Sequence, residues 1–406
     1  MWFAQVTSVI GDQLARVALT VLVYARTGSA LLAAVTFAAS IVPMFLGGVL
    51  LAGIGDRWPR RAVMVGCDAI RTALVLVMVI PGVPVAALVV LLFVVTFLEA
   101  PFRSARAAIY PDVLPGDLYT LGQTISMTTY VAAQVGGFAI GGVVVGAVGT
   151  RTALIVDAAT FAVSAILVRT RVREHVPAAA SGAPAGSTRR PRPLSDAWAG
   201  ARLVFRTPAL RTPMLLGWIA AFYNVPEGVA APFARELHAG SRAVGVLLAA
   251  GALGATVGNV VYSRVVPPSR RAALMAPCAI ACCAVLTLLA FGPGLVLSVV
   301  ILACSGLLGG YQAAASAAFV AATPPGMRAQ AFGLAQGGMN LGQGTAMVLA
   351  GAAAGYVAPH VVIVMAGIVG VAATAVIAVS TLRRTALPAD FTHDELPPRA
   401  LRLILP

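Results

Sequence analysis

The chain has 406 residues, of which 59% are apolar, 10% charged and 7% aromatic, and its formal net charge is +14. Soluble domains carry roughly 25% charged residues, so a chain with less than half that share cannot clothe a water-facing surface. These figures exclude a soluble enzyme, a disordered chain and a secreted disulfide scaffold, and they indicate an integral membrane protein.

A crossing of roughly 30 Å of hydrocarbon takes about 20 mostly apolar residues at ~1.5 Å rise each. In chain order, windows of that length predict twelve helices: 2–25, 29–54, 62–80, 84–108, 119–147, 151–169, 213–237, 243–265, 272–291, 294–320, 329–355 and 359–381. Breaks are marked by 26–29, 55–61, 81–84 and 110–117, each rich in Gly, Pro, Asp or Arg. Spanning segments must be helical, because a backbone without internal partners costs several kcal/mol per group in lipid, and the alternation of a β-barrel is absent. Residues 171–207 form the longest polar stretch and read as a cytoplasmic linker. Within it, Ser195 to Phe205 predicts a short interfacial helix, with Trp198, Leu203 and Phe205 toward lipid and Arg202 and Arg206 toward anionic headgroups. Residues 383–406 form a cytoplasmic tail.

All 28 basic residues are Arg. With loop 55–61 placed in the cytoplasm, 22 of them fall on that side, four on the other, and Arg16 and Arg71 lie within spans. The positive-inside rule then puts both termini in the cytoplasm. The charge follows the membrane and forms no basic stripe interleaved with aromatics, so nucleic acid is not an expected partner. The first span opens at Trp2 without a basic leader or cleavage site, which reads as a trimmed cytoplasmic leader and not as a signal peptide. The five Cys all lie in apolar runs and read as small core residues.

A shift of about 210 residues brings the two halves of the chain into register. Gly28-Ser29 meets Gly240-Ser241 at offset 212, and Arg60-Arg61 meets Arg270-Arg271 at offset 210. At 210 Ala105, Ala107 and Ala108 also meet Ala315, Ala317 and Ala318, and Pro115-Gly116 meets Pro325-Gly326. The expected organisation is all-α: a six-helix half (1–170), the 171–207 linker and a second, pseudo-symmetric six-helix half (208–382). Parallel repeats of this kind put a substrate site near the midplane between them.

The segment Ala52-Gly53-Ile54-Gly55-Asp56-Arg57-Trp58-Pro59-Arg60-Arg61 resembles the loop between spans two and three of the major facilitator superfamily, Gly-x-x-x-Asp-Arg-x-Gly-Arg-Arg. With Gly11-Asp12-Gln13 in span one and Asp157-Ala-Ala-Thr-Phe161 in span six, it is similar to the macrolide-efflux and enterobactin-exporter branch. Two family signatures differ here: the antiporter motif of span five has Phe138 in place of Pro, and the span-four Arg-x-x-x-Gln-Gly is absent. The resemblance implies the twelve-helix major facilitator fold and a cytoplasmic gate, in which Asp56 sits beneath the start of span eleven near Arg328, with helix-dipole attraction holding the halves closed. Arg57, Arg60 and Arg61 would bind nearby carboxylates or lipid phosphates.

A charge at the centre of a membrane helix costs at least about 2.5–3.5 kcal/mol, so each needs a partner or a wet cavity. Asp12 and Arg16 are one turn apart, and read either as a proton-exchanging carboxylate with its neighbouring cation or as a permanent ion pair. Glu99 and Arg103 repeat the spacing in span four, and Glu227 follows Pro226 in span seven, where a kink would expose it. Asp68, Arg71 and Asp157 read as structural pairs. Trp218, Phe222, Asn224, Tyr311, Gln312, Gln336 and Asn340 are the candidates to line an amphipathic cavity, and the small-xxx-small glycine pairs read as close helix packing.

The expected function is secondary transport by alternating access in a bacterial inner membrane: export of an amphipathic small molecule (drug, antibiotic or siderophore-like) in exchange for protons, by a monomer without cofactor or metal. An importer or uniporter of the same fold is the alternative. A membrane enzyme is disfavoured, since His-Glu-x-x-His and Gly-x-Ser-x-Gly are both missing. Without Lys there is no phosphate-binding Gly-x-x-x-x-Gly-Lys loop.

Overall fold

The computed structural model describes residues 2–50, 58–113, 117–172, 201–202, 204–324 and 327–385, and every regular element among them is helical. The first half comprises α1 (Trp2–Thr27), α2 (Ala30–Ala38), α3 (Val42–Leu50), α4 (Arg60–Val79), α5 (Val85–Phe97), α6 (Glu99–Val113) and α7 (Asp117–Arg171). The second comprises α8 (Pro208–Trp218), α9 (Ala220–Tyr223), α10 (Val225–Gly228), α11 (Ala230–Glu236), α12 (Ser241–Val265), α13 (Pro268–Leu286), α14 (Leu295–Leu308), α15 (Tyr311–Ala322), α16 (Arg328–Ala353) and α17 (Pro359–Thr385).

Nine helical stretches among the described residues are long and apolar enough to cross a membrane. One of them, Ile125–Arg171, runs for 47 residues and is interrupted at Gly149, where φ is 84° and ψ 167°. That conformation suits a residue without Cβ, and the two arms of α7 make separate crossings. The broken run α8–α11 and helix α16 add two more, which is consistent with twelve. Large apolar side chains such as Val90, Ile166, Leu349 and Val376 lie exposed on the outside of the bundle. In water such a surface would be unfavourable, and against lipid tails it is expected.

Spans predicted as continuous are often broken. The 29–54 span parts at residues 39–41, the 84–108 span at Leu98, and the 213–237 span at Ile219, Asn224 and Val229. Residues 39–41, Leu98, Asn224 and Val229 each stand within one turn before a proline: Pro43, Pro101, Pro226 and Pro232. A proline ring clashes with the carbonyl one turn back and supplies no N–H to it, so the helix opens there. The 294–320 span also breaks, at Gly309-Gly310.

Two seams join the halves. Along α7 and α12, Gly142 lies against Gly245, and Gly146 against Arg242. A methyl group added at Gly142 would stand 2.7 Å from the Gly245 Cα, so no side chain fits. Along α2–α3 and α16, Gly351 meets Ala30 and Ala34, Gly344 meets Val42, and Gly337 meets Phe45. Within lipid, such close backbone approach replaces the hydrophobic drive that assembles helices in water. Near the 237–240 turn, Arg235 lies 5.9 Å over the Tyr24 ring, a further link between the halves.

Of the interfacial helix predicted at 195–205, only 201–202 and 204–206 are described, and these are helical. Val204 is fully buried with Leu210, Met214 and Phe319, and Phe205 packs edge-on against Trp218 at 6.4 Å. This stretch packs against the second half. Its anchor is Val204, one place from Leu203, which lies outside the described residues.

Candidate functional site

The first half holds a buried network of charge. Arg71 on α4 is 1% exposed and stands at its centre. Its Nη2 donates to Asp12 Oδ1 on α1 at 2.9 Å, its Nη1 lies 3.8 Å from Asp68 Oδ1, and its guanidinium sits 3.9 Å over the Phe161 ring. The spacing of Asp157 and Phe161, four apart on the second arm of α7, sets both on the face toward this network. Asp157 itself is 1% exposed, and its Oδ1 has no hydrogen-bond partner among the described residues. One turn deeper into α6, Arg103 Nε donates to Glu99 Oε1 at 2.7 Å and its Nη2 to the Tyr130 hydroxyl at 3.0 Å.

Some sequence expectations change here. Asp12 does not pair with Arg16. It pairs with Arg71, because a guanidinium sealed between three helices requires an anionic partner and Asp12 is within reach. Arg16 instead donates to Gln13 Oε1 at 3.4 Å. Arg71, expected only as a structural partner of Asp68, is the centre of the network. Glu99 and Arg103 form the i,i+4 pair that their spacing predicts.

The second half holds a cavity of about 250 Å³, closed on one side by Val131 and Gln134 of the first half. Its polar wall comes from the broken run α8–α11: Tyr223, Asn224 and Glu227, with Asn259 and Gln312 opposite. Asn224 (φ −91°, ψ 0°) and Val229 (φ −108°, ψ 14°) bracket the four-residue helix α10 that carries Glu227. Among the described residues the Glu227 carboxyl makes no hydrogen bond or ion pair, and Asn259 Oδ1 is buried without a partner. The Gln312 amide is occupied, donating to Gly217 O and to the Tyr223 hydroxyl, both at 2.8 Å. The rest of the lining is mostly apolar, among it Phe233, Leu247, Leu248 and Leu302, with Gln134, Thr256 and Ser305 as its polar members.

Of the seven residues expected to line a cavity, Asn224 and Gln312 face this one. Trp218 and Gln336 line a smaller neighbouring space with Gln312, and the Trp218 indole N–H is spent on Ala335 O at 2.9 Å. Tyr311 is fully buried and donates to Leu216 O at 2.9 Å, a core position and not a cavity one. Phe222 packs in the same core. Asn340 is buried and accepts from Gln336 at 3.5 Å. Sequence reading missed Gln134 and Asn259. Each lies in an apolar helix, and a lone amide there is itself a signal worth following.

Asp56, Arg57 and the side chain of Arg328 lie outside the described residues, so the expected gate is represented by Arg60 and Arg61, both half-buried at the start of α4. Their repeat counterparts are visible. Arg271, which answers to Arg61, donates to Ser263 O at 2.7 Å and to Val266 O at 3.1 Å, satisfying carbonyls at the end of α12.

The family model described as Major Facilitator Superfamily matches twice, over residues 1–226 and 218–405. The chain belongs to the major facilitator superfamily. It is a multi-pass membrane transporter and not an enzyme. The chain is 26% identical over 318 residues to a protein named multidrug efflux pump Tap from Mycolicibacterium fortuitum, covering 76% of each. Among solved structures it resembles the nucleoside transporter NupG (TM-score 0.66, 16% identity, 95% and 99% of the two chains covered). It also resembles a POT family transporter solved with a thioalcohol-conjugated peptide (TM-score 0.72, 12% identity, 95% and 96% covered). At these identities the structural likeness shows the superfamily fold alone.

Proposed function

We propose that the chain is a proton-coupled exporter of an amphipathic small molecule, working by alternating access as a monomer in a bacterial inner membrane with both termini cytoplasmic. The observation that carries this reading is the pairing of a buried carboxylate–guanidinium network in one half with a cavity of mixed apolar and polar lining in the other. A carboxylate in such a network gains and loses a proton as its exposure to water changes. The cavity's leucines and its few amides suit a ligand with an apolar body and a small number of polar groups. The efflux relative supports export.

In this reading Asp12, beside Arg71, takes up and releases the proton, with Glu99 and Glu227 as further acidic sites and Arg16 as a neighbouring cation. Asn224 and Gln312 orient the substrate. Trp218, Phe222, Tyr311, Gln336 and Asn340 shape the wall of the second half from behind. Asp56, Arg57, Arg60, Arg61 and Arg328 form the cytoplasmic gate. The test is a pH-jump assay in proteoliposomes against a panel of amphipathic compounds. Proton release that depends on an added compound supports the reading. Transport of a compound without any proton movement favours a uniporter of the same fold.

A further inference from the structure

Proline does not account for the break at Ile219 in span seven. A proline ring opens the bond one turn before it, and the neighbouring prolines are Pro213 and Pro226, both more than a turn away. At Ile219 the hydrogen-bond ladder tightens. Its N–H bonds the Leu216 carbonyl at 3.3 Å, and the Phe222 N–H bonds the Ile219 carbonyl at 2.9 Å, each three residues back where an α-helix reaches four.

Side chains of span ten enter the same turn. The Tyr311 hydroxyl donates to the Leu216 carbonyl at 2.9 Å, and the Gln312 amide to the Gly217 carbonyl at 2.8 Å. In a regular helix these two carbonyls accept from Ala220 and Ala221. A side chain inserted into the ladder breaks a helix. Tyr311 and Gln312 open α15 directly after Gly309-Gly310, where Gly310 lies against Gly258 of α12 with no room for a side chain. The Gln312 amide donates a second time, to the Tyr223 hydroxyl at 2.8 Å, beside Asn224 and one turn before Glu227. Both its hydrogens are thereby spent on protein, although the residue lines the cavity.

The first half supplies the comparison. At offset 212 Leu216 and Gly217 answer to Ala4 and Gln5, and at offset 210 Tyr311 and Gln312 answer to Pro101 and Phe102, whose side chains have no donor. Span one passes this level as one unbroken helix. We infer that Tyr311 and Gln312 clasp the open turn of span seven to span ten, and that Gln312 is a positioning residue, acting on the substrate through Tyr223 and Asn224 and not by contact. The positioning role rests on the reading above, in which this cavity holds the substrate; the clasp itself does not.

The clasp is tested by amide hydrogen exchange on the full chain in detergent without ligand, read by mass spectrometry on peptides covering 216–224. Without the clasp, the Leu216 and Gly217 carbonyls are free for the Ala220 and Ala221 N–H groups and the turn closes. Gln312→Leu and Tyr311→Phe should each slow exchange in this stretch by about three- to tenfold, the worth of one hydrogen bond. A bond that merely stabilises the fold gives the opposite sign when it is lost. Unchanged or faster exchange in either variant overturns the clasp. Proteoliposome transport of one compound then separates positioning from contact. Gln312→Leu should raise KM by up to about tenfold with the maximal rate held, and adding Asn224→Ala should raise it no further. Effects that multiply overturn the positioning role and make Gln312 a substrate contact. If Asn224→Ala alone leaves KM unchanged, the reading of the cavity falls and the positioning role with it, while hydrogen exchange decides the clasp.

Discussion

The first and seventh spans occupy equivalent places in the repeat and are built differently. At offset 212, Leu14 and Thr20 of α1 stand where the seventh span has Pro226 and Pro232. Without prolines α1 runs unbroken from Trp2 to Thr27, and Leu14 and Thr20 are sealed inside the bundle. With them the seventh span breaks into α8, α9, α10 and α11, and its freed turns border the cavity. The same offset sets Asp12 against Asn224, a titratable group against an amide that can only hydrogen-bond. One half thus has an unbroken helix bearing a paired carboxylate, and the other a broken helix whose polar wall carries an amide at the equivalent place and the unpaired Glu227 one turn on. The two halves share a helical plan and differ in where their polar and charged groups stand.

The largest expected effect comes from the centre of the first half. Arg71→Leu removes the cation that Asp12 and Asp68 share and leaves buried charge uncompensated, at a cost of about 3–5 kcal/mol. A large drop in folded yield and in Tm, measured in detergent, is expected. Removing Asp12 as well, in Arg71→Leu/Asp12→Leu, should recover part of the loss. A single variant as stable as the parent would show that the network is solvated and carries no strain on its balance.

The second half should respond in the opposite direction. Pro226→Leu restores an N–H and the helical preference of the residue, worth up to ~3 kcal/mol in an unhindered helix. It is expected to raise Tm while lowering transport, because straightening α9–α10 withdraws Asn224 and Glu227 from the cavity. Raised stability with unchanged transport would mean that the break has no part in the cycle. The smallest effect is expected from Asn224→Ala. Loss of one hydrogen bond, about 0.5–1.5 kcal/mol, should weaken substrate affinity by about tenfold or less and leave its pH dependence alone.

Most of the helical architecture was legible in the sequence, because membrane spans announce themselves by length and apolar composition. The helix breaks at Pro43, Pro101, Pro226 and Pro232 were legible in principle, since each proline is visible and its effect is local. What periodicity along one helix could not supply was the partner across helices. The i,i+4 rule joins Asp12 to Arg16, but in the folded chain Arg71 from α4 reaches Asp12 first. The rule held for Glu99 and Arg103, where the pair lies on one face with Tyr130 closing over it. Tyr311, polar at its tip, is a cavity candidate by sequence, but its hydroxyl is satisfied by the Leu216 carbonyl near the end of α8. A polar residue in a membrane span indicates a need for a partner, and only the fold says whether that partner is protein or substrate.

The division of labour between the halves is tested most directly by pH-driven transport in proteoliposomes, with Asp12→Asn and the parent chain compared on one transported compound. Asp12→Asn is expected to lose accumulation driven by a pH gradient and to keep downhill exchange of the compound. Asp12→Asn that sustains the parent's pH-driven gradient would contradict it.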